Sequence, residues 1–289
     1  MIVDAARIFS PGLLAERGKT IKQIRFFSHK LLEKALAGEA LDDWLFPDAP
    51  AEEPVRGVAL QGGSLWLTVD EISQLPDDFQ RPEGRRHSLA TLKVWADKKT
   101  PRVTLDRITS ASTIYHSGRI SFSAGCGLWF GVCWKTSSPD MRQVFEHSLA
   151  ILGEDGLGGE RSVGYGAFTQ QAGEAFTLPD ARPGEMAYLL SRYHPAPQEL
   201  PAAIADPEAA YHLTAVSGWL HSPDGPAQRR KRVHLVTEGS LVALPTGQSG
   251  DLADVTPAYA NPEGDLPHRV YRFGLALAAG WQKKEANHA

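Results

Sequence analysis

The 289-residue chain is 42% apolar and 22% charged, with a formal net charge of -4. That is an ordinary soluble composition, long enough to bury a sizeable core and better matched to two domains than to one. A net-negative chain is not held on nucleic acid by bulk charge, so a nucleic-acid site would have to be a local patch.

A charged-then-apolar leader is not evident, nor is an apolar run of about 18 residues, so the expectation is a cytoplasmic protein without a membrane partner. Cys126 and Cys133 fall in GCGLWFGVC, which reads as a buried strand. Two cysteines are too few for a zinc site, so they read as small apolar fillers in a reducing compartment, and neither a metal nor a cofactor is expected.

Along the chain, Ile2 to Phe9 reads as a short strand and Ser10-Pro11-Gly12 as a turn. Leu31, Leu32, Ala35 and Leu36 fall at helical spacing behind Ser28 as a cap, with Gly38 as the stop. Leu41 to Pro54, acidic and proline-punctuated, reads as a surface connection, and Val58 to Val69 returns to strand character around Gly62-Gly63. Arg81 to Arg107 carries eight Lys or Arg against three Asp or Glu, opposite in sign to the whole chain. With strand alternation around Lys93 and at Val103 to Leu105 it reads as a basic hairpin, either a lysine-protected edge or an RNA contact.

Strand patterns follow at Gly118 to Ser123 and Gly127 to Lys135. Ser138 and Pro139 then open a helix whose apolar stripe is Met141, Val144, Phe145, Leu149 and Leu152. It ends in GLGGERSVGYGAF, Gly156 to Phe168, thirteen residues of which five are glycine. Ser162 to Thr169 reads as the strand leading out. After the linker-like Leu178 to Glu185 come strands at Met186 to Tyr193, Tyr211 to His221, Arg232 to Leu244 and Val270 to Ala279. The strand, strand, helix, loop, strand order resembles the back half of a ferredoxin-like βαββαβ unit, and the second half can be drawn as a degenerate copy.

The glycine stretch is the most informative one. Gly156, Gly158, Gly159, Gly164 and Gly166 free a run of backbone to take φ > 0 and to approach a partner closely. Arg161 and Tyr165 between them add a guanidinium and a flat ring, a set suited to a phosphate chain bearing bases. A P-loop is excluded, because Gly164 is followed by Tyr165 and Gly166 where Lys-Ser/Thr is required. The dinucleotide fingerprint fails because Arg161 stands at its third glycine. The alternative is a plain helix-to-strand connection. The run Arg229-Arg230-Lys231-Arg232 reads either as a solvated turn or as a second phosphate contact.

These residues resemble the repeat-associated mysterious proteins (RAMPs) of CRISPR systems, whose glycine-rich loop GLGGERSVGYGAF matches. TPRVTLDRITSAS (Thr100 to Ser112), QRRKRVHLVTEGSLV (Gln228 to Val242) and DLADVTPAYANPEGDLPHRVYRFGLAL (Asp251 to Leu277) narrow the resemblance to the fourth, Cas-five-like subunit of the type III-A Csm complex. It implies an α+β chain of two tandem ferredoxin-like, RRM-related domains, 1–178 and 179–289, the first apparently short of its N-terminal strand and helix. It further implies a subunit that holds the 5′ tag of the crRNA and bridges the backbone RAMP filament to the large palm-domain subunit. RNA contacts would fall on Gly156, Gly158, Gly159, Arg161, Ser162, Gly164, Tyr165 and Gly166. Others would fall on Arg85, Arg86 and Lys93 in a thumb-like hairpin placed at Arg81 to Lys99, on Arg107, and on Arg230, Lys231 and Arg232.

Catalysis is not expected. RNA cleavage by general acid-base chemistry needs two poised groups, and His29, His87 and His116 read as surface histidines. Asp106 reads as an ion pair to Arg107. The alternatives are a metal-independent endoribonuclease that processes guide precursor, and a protein scaffold with little RNA contact.

Overall fold

The computed structural model describes residues 4–46, 56–80, 89–134, 138–222, 225–247, 249–257 and 268–282. The chain is α+β and divides into two compact units, Met1–Gly127 with Leu178–Ala289, and Leu128–Thr177. Among the described residues its sheets have two or three strands each, and a four-stranded ferredoxin-like sheet is not among them.

The first unit begins with a difference from the sequence reading. Ala5–Arg7 is a single 3-10 turn capped by Asp4, and α1 (Pro11–Ile21) follows. Ser10 is a cap rather than a turn: its hydroxyl accepts the Leu13 N–H, and Pro11 occupies the first helical position, where its missing donor costs nothing. After β1 (Phe26–Phe27), α2 (His29–Leu36) is capped by Ser28 as expected and buries Leu31, Ala35 and Leu36. The expected surface connection instead carries α3 (Asp42–Leu45), with Leu41, Leu45 and Phe46 buried, because its apolar side chains fill the α1–α2 core.

β2 (Gly57–Leu60) and β3 (Leu65–Thr68) turn through Gln61-Gly62-Gly63, all at positive φ, and β1 adds parallel to β3. β4 (Trp95–Leu105) and β5 (Ser112–Phe122) form an antiparallel ribbon of eleven paired residues. The hairpin therefore spans 95–122 and not Arg81 to Lys99, and residues 81–88, with Arg85, Arg86 and His87, lie outside the described residues. Cys126 packs beside the Val58–Phe79 cluster and burial raises its thiol pKa, whereas Cys133 is exposed; 127–134 form no strand, so the buried-strand reading fails.

The C-terminal part of this unit is built on β6 (Met186–Leu189), with β11 (Leu241–Ala243) and β14 (Ala278–Gly280) antiparallel on its two sides. Around it lie β7 (Leu213–Val216) with β10 (Val233–Val236), β8 (Trp219–Ser222) with β9 (Gly225–Arg229), and β12 (Leu252–Asp254) with β13 (Tyr271–Phe273). Glu199, 6% exposed just before the short α5 (Leu200–Ile204), ties the loops together. Its carboxylate accepts the Tyr193 hydroxyl at 3.1 Å, the Ala196 N–H at 2.9 Å and the Gly250 N–H at 2.9 Å. Burial, and then the Glu199 charge, raises the Tyr193 hydroxyl pKa above its ordinary value.

The second unit holds α4 (Pro139–Asp155), capped by Ser138 and stopped by Gly156 at φ 85°, as read from the sequence. Its stripe does not line a core: Met141, Val144 and Leu152 are exposed, and Phe145 meets the rings of Phe130 and Trp134. The strand expected at Ser162 to Thr169 is a 3-10 turn at Arg161–Val163 followed by irregular chain. A strand requires a ladder partner, and among the described residues neither this segment nor 127–134 has one.

Glu199→Ala leaves three buried donors unpaired and is expected to lower unfolding stability by about 2–4 kcal/mol, against about 1 kcal/mol for Tyr193→Phe. Urea unfolding checks both, and equal midpoints for Glu199→Ala and the parent would contradict the assignment.

Candidate nucleic-acid interface

The glycine loop closes on itself. The Leu157 N–H donates to Gly166 O at 2.8 Å, the Phe168 N–H to Gly153 O at 3.0 Å, and the Gly156 N–H to Leu152 O at 2.8 Å. Gly166, at φ 81°, sits so close that a Cβ would lie 2.2 Å from Leu157 O; at Gly156 it would lie 2.8 Å from Tyr165 O. These two glycines make the neck. At the apex, a Cβ on Gly158, Gly159 or Gly164 would meet nothing within 4 Å, and Glu160 turns the chain at φ 59°. Arg161 and Ser162 are exposed and Tyr165 half-buried. Among the described residues Gly158, Gly159 and Ser162 donate no backbone hydrogen bond, which leaves open N–H groups beside a guanidinium, a setting that suits an anion.

The β4–β5 ribbon is two-faced. Its register sets Lys98 opposite Arg119, Thr100 opposite Ser117, Arg102 opposite Tyr115 and Thr104 opposite Thr113 on one face. The other face carries Trp95, Phe122, Ile120, Val103, Ile114 and Leu105, interrupted by Asp97, Lys99 and His116. Lys98 and Arg119 thus stand directly opposite each other, where like charges repel. Arg107 lies in the tip, where Asp106 accepts the Ile108 N–H and the Thr109 hydroxyl. Those two bonds hold the Asp106 pKa below its ordinary value, so Asp106 shapes the turn where an ion pair to Arg107 was expected. Lys93 is exposed at the base, its carbonyl accepting the Ser123 hydroxyl.

In the C-terminal segment the Arg230 N–H donates to Gly218 O at 2.9 Å and the Lys231 N–H to Val255 O at 3.1 Å. The Arg230 side chain lies along Gly218, where a Cβ would meet its Nη2 at 2.6 Å. Lys231 and Arg232 point to solvent. Nearby, the Asp254 pKa is held down at about 2 by the Thr256 hydroxyl and N–H and by Arg269, whose guanidinium is 2.5 Å away.

Residues 182–281, which include this basic run, match the family model described as the CRISPR Csm4 C-terminal domain. A Methanocaldococcus jannaschii protein named "CRISPR system Cms protein Csm4" is 22% identical over 96% of this chain and 76% of its own length. A Thermococcus onnurineus protein of the same name is 29% identical over 66% of this chain and 56% of its own length. Residues 182–281 thus carry a Csm4 C-terminal domain, and the chain is similar to a Csm4 protein along most of its length.

The expected site residues are shared between the two units. The glycine-loop set lies in the Leu128–Thr177 unit; Lys93, Arg107, Arg230, Lys231 and Arg232 lie in the other. Sequence reading missed Lys98, Arg102, Tyr115 and Arg119 as a set, because only the ribbon register brings them onto one face. Among the described residues no three His, Cys, Asp or Glu gather to hold a metal ion, and no helix is long and apolar enough to cross a membrane.

Lys98→Glu would face Arg119 with an opposite charge. It is expected to stabilise the ribbon by roughly 0.2–1 kcal/mol, read as slower amide exchange along β4 and β5. Gly166→Ala, strained by about 1–2 kcal/mol from φ alone and blocked by Leu157 O, is expected to open the loop to trypsin at Arg161. Gly159→Ala should leave the cleavage rate unchanged.

Proposed function

We propose that this chain is a non-catalytic, cytoplasmic crRNA-binding subunit of a type III-A CRISPR effector complex acting in antiviral defence. In this reading the glycine loop holds the 5′ tag of the guide, with Arg161 on phosphate, and the chain bridges the backbone RAMP filament to the large palm-domain subunit. The Csm4 C-terminal domain match and the likeness to two proteins named Csm4 support the place in a Csm complex. The observation that carries the RNA-binding part is the closed loop neck at Leu157 and Gly166, which presents open backbone and an exposed Arg161 at the end of α4. The basic ribbon face supports a second contact along the same polymer. The helix feeding the glycine loop, with antiparallel strands around β6, is in keeping with tandem ferredoxin-like, RRM-related halves as part of this reading.

His29 is within 3.6 Å of Glu33, a geometry that orients it along its own helix. His116 stands opposite Pro101 on the ribbon, with Lys99 diagonal to it on the same face. The reading is of binding and not cleavage.

Assembled with its partner subunits, the chain is expected to protect a tagged guide RNA from nuclease while leaving a repeat-containing precursor intact without metal. Arg161→Ala should expose the tag, and protection should fall steeply as salt rises. Metal-independent, site-specific cutting of the precursor that disappears on changing His29 or His116 would replace this reading with the endoribonuclease. Tag protection unaffected by Arg161→Ala would favour the scaffold.

A further inference from the structure

A second surface suited to RNA lies far along the chain from the glycine loop, on β13. The β12–β13 register sets Leu252 opposite Phe273, Ala253 opposite Arg272 and Asp254 opposite Tyr271. Successive side chains point to opposite faces, so Tyr271, Phe273, Leu252 and Asp254 share one face, and Ala253 and Arg272 share the other. The second face is turned inward: Ala253 is 7% exposed, and the Nε of Arg272 is buried. On the first face Tyr271 is 54%, Phe273 65% and Leu252 52% exposed. Two rings spaced about 7 Å along one strand thus stand in water, where aromatic side chains ordinarily bury their faces.

The segment beside this ribbon carries exposed cations. The Lys231 N–H donates to Val255 O at 3.1 Å, and the Val255 N–H to Val270 O at 2.9 Å. The Arg229–Arg232 run therefore lies two ladder steps, roughly 10 Å of backbone, from the residue before Tyr271. Lys231, Arg232 and His234 are exposed there. Asp254, the acid among the described residues of the ring face, is matched by Arg269 at 2.5 Å. Flat rings flanked by cations, on a chain whose net charge is -4, complement a polyanion that carries stackable faces better than an apolar protein surface, which would leave the adjoining cations unmatched.

We propose that the Tyr271 and Phe273 face of β13 is a base-stacking platform for single-stranded RNA, whose phosphates run along Lys231 and Arg232. The identity of the polymer rests on the RNA-binding reading above; the site itself is separate from the glycine loop and recognises bases through their π-faces, so it tolerates any sequence.

The test uses the full chain and a labelled oligouridine, with affinity followed by anisotropy across salt concentrations. The variant Tyr271→Leu/Phe273→Leu keeps apolar bulk and removes both rings, and Phe273→Tyr keeps the ring. Both rings are more than half exposed, and unchanged unfolding midpoints confirm that the variants are folded. The double leucine variant is expected to lose about five-fold to over a hundred-fold per ring, with the salt slope unchanged and Phe273→Tyr close to the parent. Lys231→Ala/Arg232→Ala should instead flatten the slope by about 0.7 per lost phosphate contact. Parent-like affinity of the double leucine variant, while Arg161→Ala still weakens binding, overturns the platform alone. If that variant also no longer assembles with its partner subunits, the face is a protein-docking surface instead. A parent chain that binds no RNA overturns the RNA-binding reading together with the platform.

Discussion

The candidate site depends on one backbone contact, the Leu157 N–H on Gly166 O, made at a distance that no side chain at position 166 allows. Positive φ at Gly156 and Gly166 lets the two limbs of the loop meet at the end of α4, and that closure holds the apex open. Without the neck, Arg161 would sit on a segment whose two ends are not tied together. The glycines at the apex do different work: they have space around them and leave room for a ligand, whereas the neck glycines remove clashes. Five glycines close in sequence thus divide into two physical roles.

Elsewhere the chain is held by small ladders and local polar ties. The C-terminal part gathers around β6 and around Glu199, a buried carboxylate that three donors satisfy. Gly250 and Gly274 let backbones pass close beside His194, where a Cβ on Gly274 would lie 2.4 Å from the His194 Cβ, and the His194 ring meets Asp251 at 2.5 Å. The Leu128–Thr177 unit is different: among its described residues only Gly153 and Gly156 are buried, so α4 rests on its Ser138 cap and on ring contacts in place of a core. The ribbon likewise keeps charged and apolar faces in solvent. Exposed apolar and cationic surface of this extent suits a chain that works inside an assembly.

Much of the local structure was legible because caps are local. Ser28 and Ser138 were read as helix starts and are; Gly156 was read as a stop and is. The same Ser-Pro signal at Ser10-Pro11, followed by Gly12, reads equally as a turn, yet Leu13 and Ile21 behind it reach the core from a helix. Strand character at 127–135 and 162–169 reports side-chain preference, whereas a strand also needs a neighbour, which sequence pattern does not supply. The hairpin was placed too early because charge density peaks at Arg81 to Lys99, while the pairing is set by the Asp106 turn. The opposition of Lys98 and Arg119 is a matter of register, and so could be seen only once the strands were paired. The glycine loop and the family resemblance, by contrast, stood in contiguous residues.

The most direct test of the account is to assemble the chain with its partners around a guide RNA carrying a photoreactive uridine in its 5′ tag, irradiate, and map the adducted peptides. Adducts on 156–166, lost in Arg161→Ala, are the predicted result. Adducts confined to other segments or other subunits, with 156–166 unmodified, would contradict it.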